Sequence, residues 1–300
     1  MTTAVSLQNV SKSYGEFKAV DSLSLDITSG CVFGLLGPNG AGKTTTIRMI
    51  VNITVPDSGS VYIFGEPASA KLRSKIGYLP EERGLYKKMK VREQLLFLAG
   101  LKGVDSKDSA NRIVTWAERL KIAEWLDKKT EELSKGMQQK IQFIAALLHE
   151  PRLLILDEPF SGLDPVNTSL LMEVIRELSK SGVTIILSTH VMEQVEKLCD
   201  EICLINKSRK VLAGRLRDVK SNYGIRKLLI AFDGGDSFLK DDSLSVERFP
   251  EHYELNISSV EQAQQILRKA INAGAIIRKF ELLEPSLHEI FVNKVTGVDG

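Results

Sequence analysis

The sequence predicts an α/β protein, with helices on a parallel sheet, an antiparallel β edge, a helical subdomain and a small α+β domain at its end. Three observations carry that prediction. The continuous apolar runs LLILD and VTIILS flank the helical stretch LLMEVIRELSK, the pattern of buried parallel strands joined by a crossover helix. Apolar CVFGLL runs into a Gly-rich loop and then into TTTIRMIVNI, whose apolar spacing suits a helix. Past about Arg215 the texture shifts to short strand-like and helical segments, so a chain of 300 residues divides into 1–215 and 216–300.

Taken in order, AVSLQNV and LSLDI alternate apolar and polar residues between polar turns, which predicts the antiparallel edge. CVFGLL, the glycine loop and TTTIRMIVNI then read as strand, loop and helix. VREQLLFLAGLKG and ANRIVTWAERLKIAEWL read as amphipathic helices, and with QQKIQFIAALL they make a helical subdomain at about 88–150. The accessory domain reads as strand KLLIAF, strand HYELNI, helix VEQAQQILRKAINAG, strand AIIRKFELL and helix PSLHEIFVNKV. FDGGDSFLKDDS, rich in Gly, Asp and Ser, is expected to be a surface loop of that domain.

Composition excludes several classes. With 43% hydrophobic and 26% charged residues and a net charge of +2, the chain is neither disordered nor fibrous and has no global footprint for nucleic acid. Its basic clusters, Lys87, Lys88 and Lys90 with Lys207, Arg209 and Lys210, are read as solvated loops. Cys31, Cys199 and Cys203 have neither the number nor the spacing of a disulfide framework or a closed zinc site. A four-residue spacing can put Cys199 and Cys203 on one helix face, yet their apolar neighbours favour core filling. The start MTTAVSLQNV is no export signal, and no run of about 18 apolar residues occurs, so a cytoplasmic location is expected.

Gly37-Pro38-Asn39-Gly40-Ala41-Gly42-Lys43-Thr44 matches the phosphate-binding loop, and it sits between a predicted strand and a predicted helix as that motif requires. Gly40 and Gly42 leave room for backbone N–H groups to face phosphate oxygens at a helix start. Lys43 reaches the outer phosphates, Thr44 supplies a hydroxyl to Mg²⁺, and Thr45 adds a hydrogen bond. Leu153 to Asp157 and Glu158 form the Walker B pattern. Asp157 is placed to hold Mg²⁺ through its water shell and Glu158 to polarise the attacking water. Ser134 stands where a helix N-cap belongs, which offers a second anion site. His190 follows the strand VTIILST at the carboxyl end of a parallel sheet, within reach of a γ-phosphate.

Together these residues resemble the ATP-binding subunits of ABC transporters, over roughly residues 4–215. The resemblance implies a P-loop NTPase fold of the ABC type and hydrolysis of ATP. Tyr14 looks like the aromatic that stacks on adenine, and Leu133, Ser134, Lys135, Gly136 and Met137 look like the family signature. Ser161, Gly162, Leu163 and Asp164 resemble the D-loop, and His190 the switch histidine. The resemblance further implies ATP and Mg²⁺ as ligands and a homodimer or pseudo-dimer whose ATPs are shared between subunits. It also implies a separate integral membrane permease at the cytoplasmic face.

Two departures stand out. Glu81, in GYLPEERGLY, replaces the family's usual Gln and puts a carboxylate where a neutral amide normally meets Mg²⁺; the signature reads LSKGM where LSGGQ is commoner. With the ending EPSLHEIFV, both resemble the sodium-extrusion (NatA-type) export branch, whose cargo here is expected to be sodium or a drug. The alternatives are a soluble ABC ATPase not coupled to transport, or a regulatory module that binds ATP without hydrolysing it. The short span between Lys43 and Asp157, the single motif set, and the presence of Glu158 and His190 argue against them.

Overall fold

The computed structural model describes residues 2–82, 84–223, 227–239 and 244–296. By its contacts the chain divides into two compact units, Met1–Gly214 and Arg215–Gly300. Arg83, inside GYLPEERGLY, and Lys240 to Ser243, inside FDGGDSFLKDDS, lie outside the described residues.

The first unit opens on strands β1 (Thr3–Tyr14) and β2 (Phe17–Thr28), an antiparallel hairpin closed by Tyr14 opposite Phe17. Then come β3 (Val32–Leu36), α1 (Lys43–Ile50), β4 (Ser58–Ile63), β5 (Glu66–Pro67) and β6 (Ile76–Leu79). Helix α1 is shorter than TTTIRMIVNI suggests, because Asn52 takes a left-handed φ of 56° just past its end. Helices α2 (Val91–Leu101), α3 (Ser106–Arg119) and α4 (Lys135–Leu147) follow. The unit closes with β7 (Leu153–Asp157), α5 (Pro165–Lys180), β8 (Thr184–Thr189), α6 (Met192–Leu198), β9 (Glu201–Asn206) and β10 (Arg209–Arg215).

A six-stranded sheet runs β10-β9-β3-β8-β7-β6, and a four-stranded sheet runs β2-β1-β4-β5. β3 lies parallel to β8 and β9, and β7 parallel to β6 and β8. Every residue of β3, β7 and β8 is buried, which is why these strands read as unbroken apolar runs. Val5, Leu7 and Ile63 of the antiparallel sheet share one core with Phe33, Ile155 and Ile186 of the central sheet. The parallel strands all deliver their carboxyl ends to one edge, where the loops after β3, β7 and β8 hold the chemistry described below.

The second unit contains α7 (Leu216–Asn222), β11 (Lys227–Asp233), β12 (Val246–Arg248), β13 (Tyr253–Asn256), α8 (Val260–Asn272), β14 (Ile276–Leu283) and α9 (Leu287–Thr296). Its sheet runs β12-β13-β11-β14, all antiparallel. Ala263, Ile266 and Ala270 on one face of α8 pack against Leu228, Ile230 and Leu255. The FDGGDSFLKDDS segment is not wholly a surface loop: Ser237–Leu239 form a 3₁₀ turn whose Phe238 and Leu239 are buried in this core. Polar neighbours masked two apolar anchors.

No helix among the described residues is long and apolar enough to cross a membrane. All three cysteines are buried and free, and burial pushes the thiols of Cys31 and Cys203 up to about 12. Cys199 and Cys203 do not share a helix face, because Cys199 follows the last residue of α6 and Cys203 belongs to β9.

Candidate functional site

The loop between β3 and α1 is shaped by backbone conformations that side chains resist. Gly37 sits at φ 150°, and a Cβ there would lie 2.1 Å from the Ile205 carbonyl oxygen; Gly42 sits at φ 109°, where a Cβ would lie 2.3 Å from that of Ala19. Both glycines are therefore required by close approach as well as by conformation. Gly42 is the N-cap of α1 and provides no side-chain cap, so the first-turn N–H groups are left for something else.

Buried Lys43 donates from Nζ to the carbonyl oxygens of Gly37 at 2.8 Å and Pro38 at 3.2 Å. Burial lowers its pKa, opposed by the carboxylates of Glu158, Asp157 and Glu81. Thr44 Oγ1 donates to Asp157 Oδ2 at 3.1 Å. Asp157, the last residue of β7 and only 1% exposed, is pushed above the usual carboxylate range by burial.

Glu158, one residue on, has a left-handed φ of 49° that turns it away from its neighbour. Its N–H donates to the Ser188 carbonyl at 2.9 Å. One carboxylate oxygen accepts from His190, from the backbone N–H at 3.1 Å and from Nδ1 at 2.7 Å. The other accepts from the Thr189 hydroxyl at 3.1 Å. A non-glycine residue in this region costs of order 1–3 kcal/mol and persists only where its surroundings hold it. The ends of β7 and β8 do so here.

These groups meet in a cavity of about 400 Å³, lined by Asn39, Gly40, Gly42, Lys43, Thr44, Thr45, Glu81, Asp157 and Glu158, with Phe17 and Ala19 on the remaining wall. Pro38 enters through its carbonyl to Lys43, and Ala41 is buried beside the loop. Tyr14 is not among the lining residues; Phe17, opposite it in the hairpin, is. Ser134 to Met137 lie outside this lining as well. Ser134 is the N-cap of α4, its Oγ accepting from Met137 N–H at 3.3 Å while its own N–H donates to Met137 Sδ at 3.3 Å. Lys135 opens the helix, and a Cβ on Gly136 would lie 2.7 Å from the Gly162 carbonyl oxygen. Ser161, Gly162 and Leu163 form the turn after Phe160, and Asp164 caps α5 by accepting from Asn167 N–H at 2.9 Å.

The family model described as "ABC transporter" matches residues 20–161, and "ATP-binding protein DrrA1-3-like, C-terminal domain" matches residues 214–295. The "Uncharacterized ABC transporter ATP-binding protein YhaQ" of Bacillus subtilis is 48% identical over 98% of this chain and 99% of its own length. The chain belongs to the ATP-binding proteins of ABC transporters. The Rhizobium etli "Nod factor export ATP-binding protein I" is 35% identical over 98% of this chain and 94% of its own. Among solved structures, an "ATP binding subunit of ABC transporter" superposes with a TM-score of 0.69 at 30% identity, covering 74% of this chain and 93% of that one.

As an ABC ATP-binding subunit the protein is an ATPase that powers transport. Its loop geometry also exposes residues that motif reading passed over. Phe17 gives no signal beyond being an aromatic next to a turn. Thr189 and Gln139, whose Nε2 donates to the Pro159 carbonyl at 3.1 Å, sit inside segments that read as strand and helix, where nothing in the periodicity separates a hydrogen-bonding side chain from a core-filling one.

Proposed function

We propose that this ABC ATP-binding subunit drives export through a separate membrane permease at the cytoplasmic face, as a homodimer or pseudo-dimer that closes on two ATP molecules. The observation that carries the reading is the convergence of Lys43, Thr44, Asp157 and Glu158 on one cavity at the start of α1. The free N–H groups there hold phosphate oxygens, with Lys43 exchanging the carbonyls of Gly37 and Pro38 for the outer phosphates. Tyr14 or Phe17 stacks on the base.

The hydroxyl of Thr44, the carboxylate of Asp157 and the lining carboxylate of Glu81 form a set of hard oxygen donors that suits Mg²⁺. Bound there, the ion neutralises charge on the phosphates. Glu158 is the base that takes a proton from the attacking water, and His190 orients its carboxylate. Ser134, Lys135, Gly136 and Met137 serve the nucleotide of the partner subunit, with Ser161 to Asp164 at the dimer contact.

Export is favoured by relatives named for Nod factor export, one of which matches 98% of this chain. We propose the exposed apolar group Tyr86, Phe97 and Leu101 as the permease contact, and residues 216–300 as a domain that tunes dimer lifetime. The cargo, sodium, a drug or another molecule, is chosen by the permease. The test is phosphate release with and without the co-purified permease in vesicles. Mg²⁺-dependent hydrolysis that Lys43→Ala abolishes, together with ATP-driven movement of cargo out of the cytoplasmic side, is expected. Hydrolysis by a monomer, or a co-purified permease that moves no cargo while ATP is hydrolysed, would overturn the reading.

A further inference from the structure

Helix α4 carries two functions on adjacent turns. Its first residues, Ser134 to Met137, hold the signature, while Gln139, 1% exposed, points the other way into the loop that follows β7. There its amide Nε2 is shared between the carbonyl oxygens of Pro159 at 3.1 Å and Glu158 at 3.4 Å. The same loop touches the helix again one turn earlier, where a Cβ on Gly136 would lie 2.7 Å from the Gly162 carbonyl oxygen.

Glu158 therefore has separate restraints on its two parts. Its side chain is held by Thr189 and His190 of the segment ending β8, while its carbonyl accepts from Ser161 N–H at 3.2 Å within the loop and from Gln139 at 3.4 Å, the one restraint that reaches it from α4. A non-glycine residue at φ 49° is kept there by its surroundings against its own preference, so these bonds, with that of its N–H to the Ser188 carbonyl, set where its carboxylate points. Nothing else on α4 donates to that carbonyl pair among the bonds described.

We infer that Gln139 is a positioning residue for Glu158, tying the start of the signature helix to the carboxylate of the same chain. A shift of α4 when its signature meets a partner's nucleotide then moves the base that serves this chain's own nucleotide, and the two ATP sites of a dimer sense each other through one amide. The inference rests on the reading of Glu158 as base.

Gln139→Met keeps the length and bulk of the side chain and removes the donor. Misplacing a reacting group by about 1 Å costs up to roughly 10²-fold in rate, so kcat is expected to fall by about tenfold or more with ATP affinity unchanged. In a Glu158→Gln background the same substitution is expected to add no further loss, because the group it positions is gone. Backbone amides of Glu158 and of residues 160–163 are expected to exchange faster in Gln139→Met than in the parent, with the β3 and β8 amides unchanged. That readout involves no catalysis, so it tests the positioning even if Glu158→Gln hydrolyses ATP normally and the base assignment fails. Equal losses in both backgrounds, unaltered exchange at Glu158 and 160–163, or loss of ATP binding would overturn the proposal. Gln139→Glu, which turns the donor into an acceptor at the same length, serves if the methionine variant does not fold.

Discussion

Helices α1 and α4 both begin on residues whose pattern marks an anion site, yet their first turns are built in opposite ways. At α1 the cap is Gly42, with no side chain to satisfy the exposed N–H groups, and the turn faces a cavity. At α4 the cap is Ser134, and its hydroxyl and N–H are both engaged with Met137. At the first site the cap leaves the backbone donors of the turn facing the cavity; at the second the cap and the first turn are bonded to each other. That difference fits a subunit that binds nucleotide by its own loop and offers its signature to another copy.

The comparison can be broken at several points. The largest effect is expected at the α1 site from Glu158→Gln, which keeps Asp157 and the phosphate loop intact. Hydrolysis should drop by about 10²- to 10⁴-fold while ATP binding persists and the ATP-bound dimer accumulates. Turnover within a few-fold of the parent, measured by phosphate release, would assign the base elsewhere.

Ser134→Arg attacks the α4 site and should abolish hydrolysis by the homodimer without weakening ATP binding to the isolated subunit. Mixing it with Lys43→Ala restores part of the activity if the signature works on the partner's nucleotide, since each mixed dimer keeps one intact pair. No recovery on mixing would place the signature's action within its own chain.

Gly136→Ala sharpens the comparison structurally. Replacing a helical glycine by alanine ordinarily gains about 0.5–1 kcal/mol, but here the new methyl meets the Gly162 carbonyl at 2.7 Å. Overpacking costs about 1–3 kcal/mol, so the clash wins and the thermal midpoint should fall. An unchanged or raised midpoint would show that the D-loop turn yields freely.

The smallest effect is expected from Glu81→Gln, which exchanges an exposed carboxylate on the cavity wall for a neutral amide. One exposed charge contact is worth about 0–1 kcal/mol, so the Mg²⁺ midpoint for hydrolysis should rise by at most about fivefold, with little change at saturating Mg²⁺. An unmoved titration would mean that Glu81 does not meet the ion.

Much of this architecture was legible before any coordinates. The glycine loop, the strand ending in Asp157 and Glu158, and the cap at Ser134 could be read because each couples a residue type to a fixed place in a local element. The buried strands were legible because burial on both faces leaves unbroken apolar runs. What escaped depends on tertiary approach. β4 and β5 complete the antiparallel sheet from a stretch rich in glycine and serine, and their register is set by β1 rather than by their own pattern. Phe238 and Leu239 were hidden by polar neighbours, and Phe17 lines the cavity only because the hairpin brings it there. The left-handed turn at Glu158 and its hold by Gln139 have no local signal at all.

The lysine of the phosphate loop bears on turnover. Lys43 already spends its ammonium on the carbonyls of Gly37 and Pro38. On the proposed reading an arriving triphosphate swaps one set of acceptors for another, and the entropy of ordering a long flexible side chain was lost during folding rather than at each binding event. When the spent nucleotide leaves, the amine returns to the loop's own oxygens and the cradle keeps its shape. On that reading release and reloading follow each other without refolding of the loop, which leaves the proposed dimer contact and permease as the parts that must move.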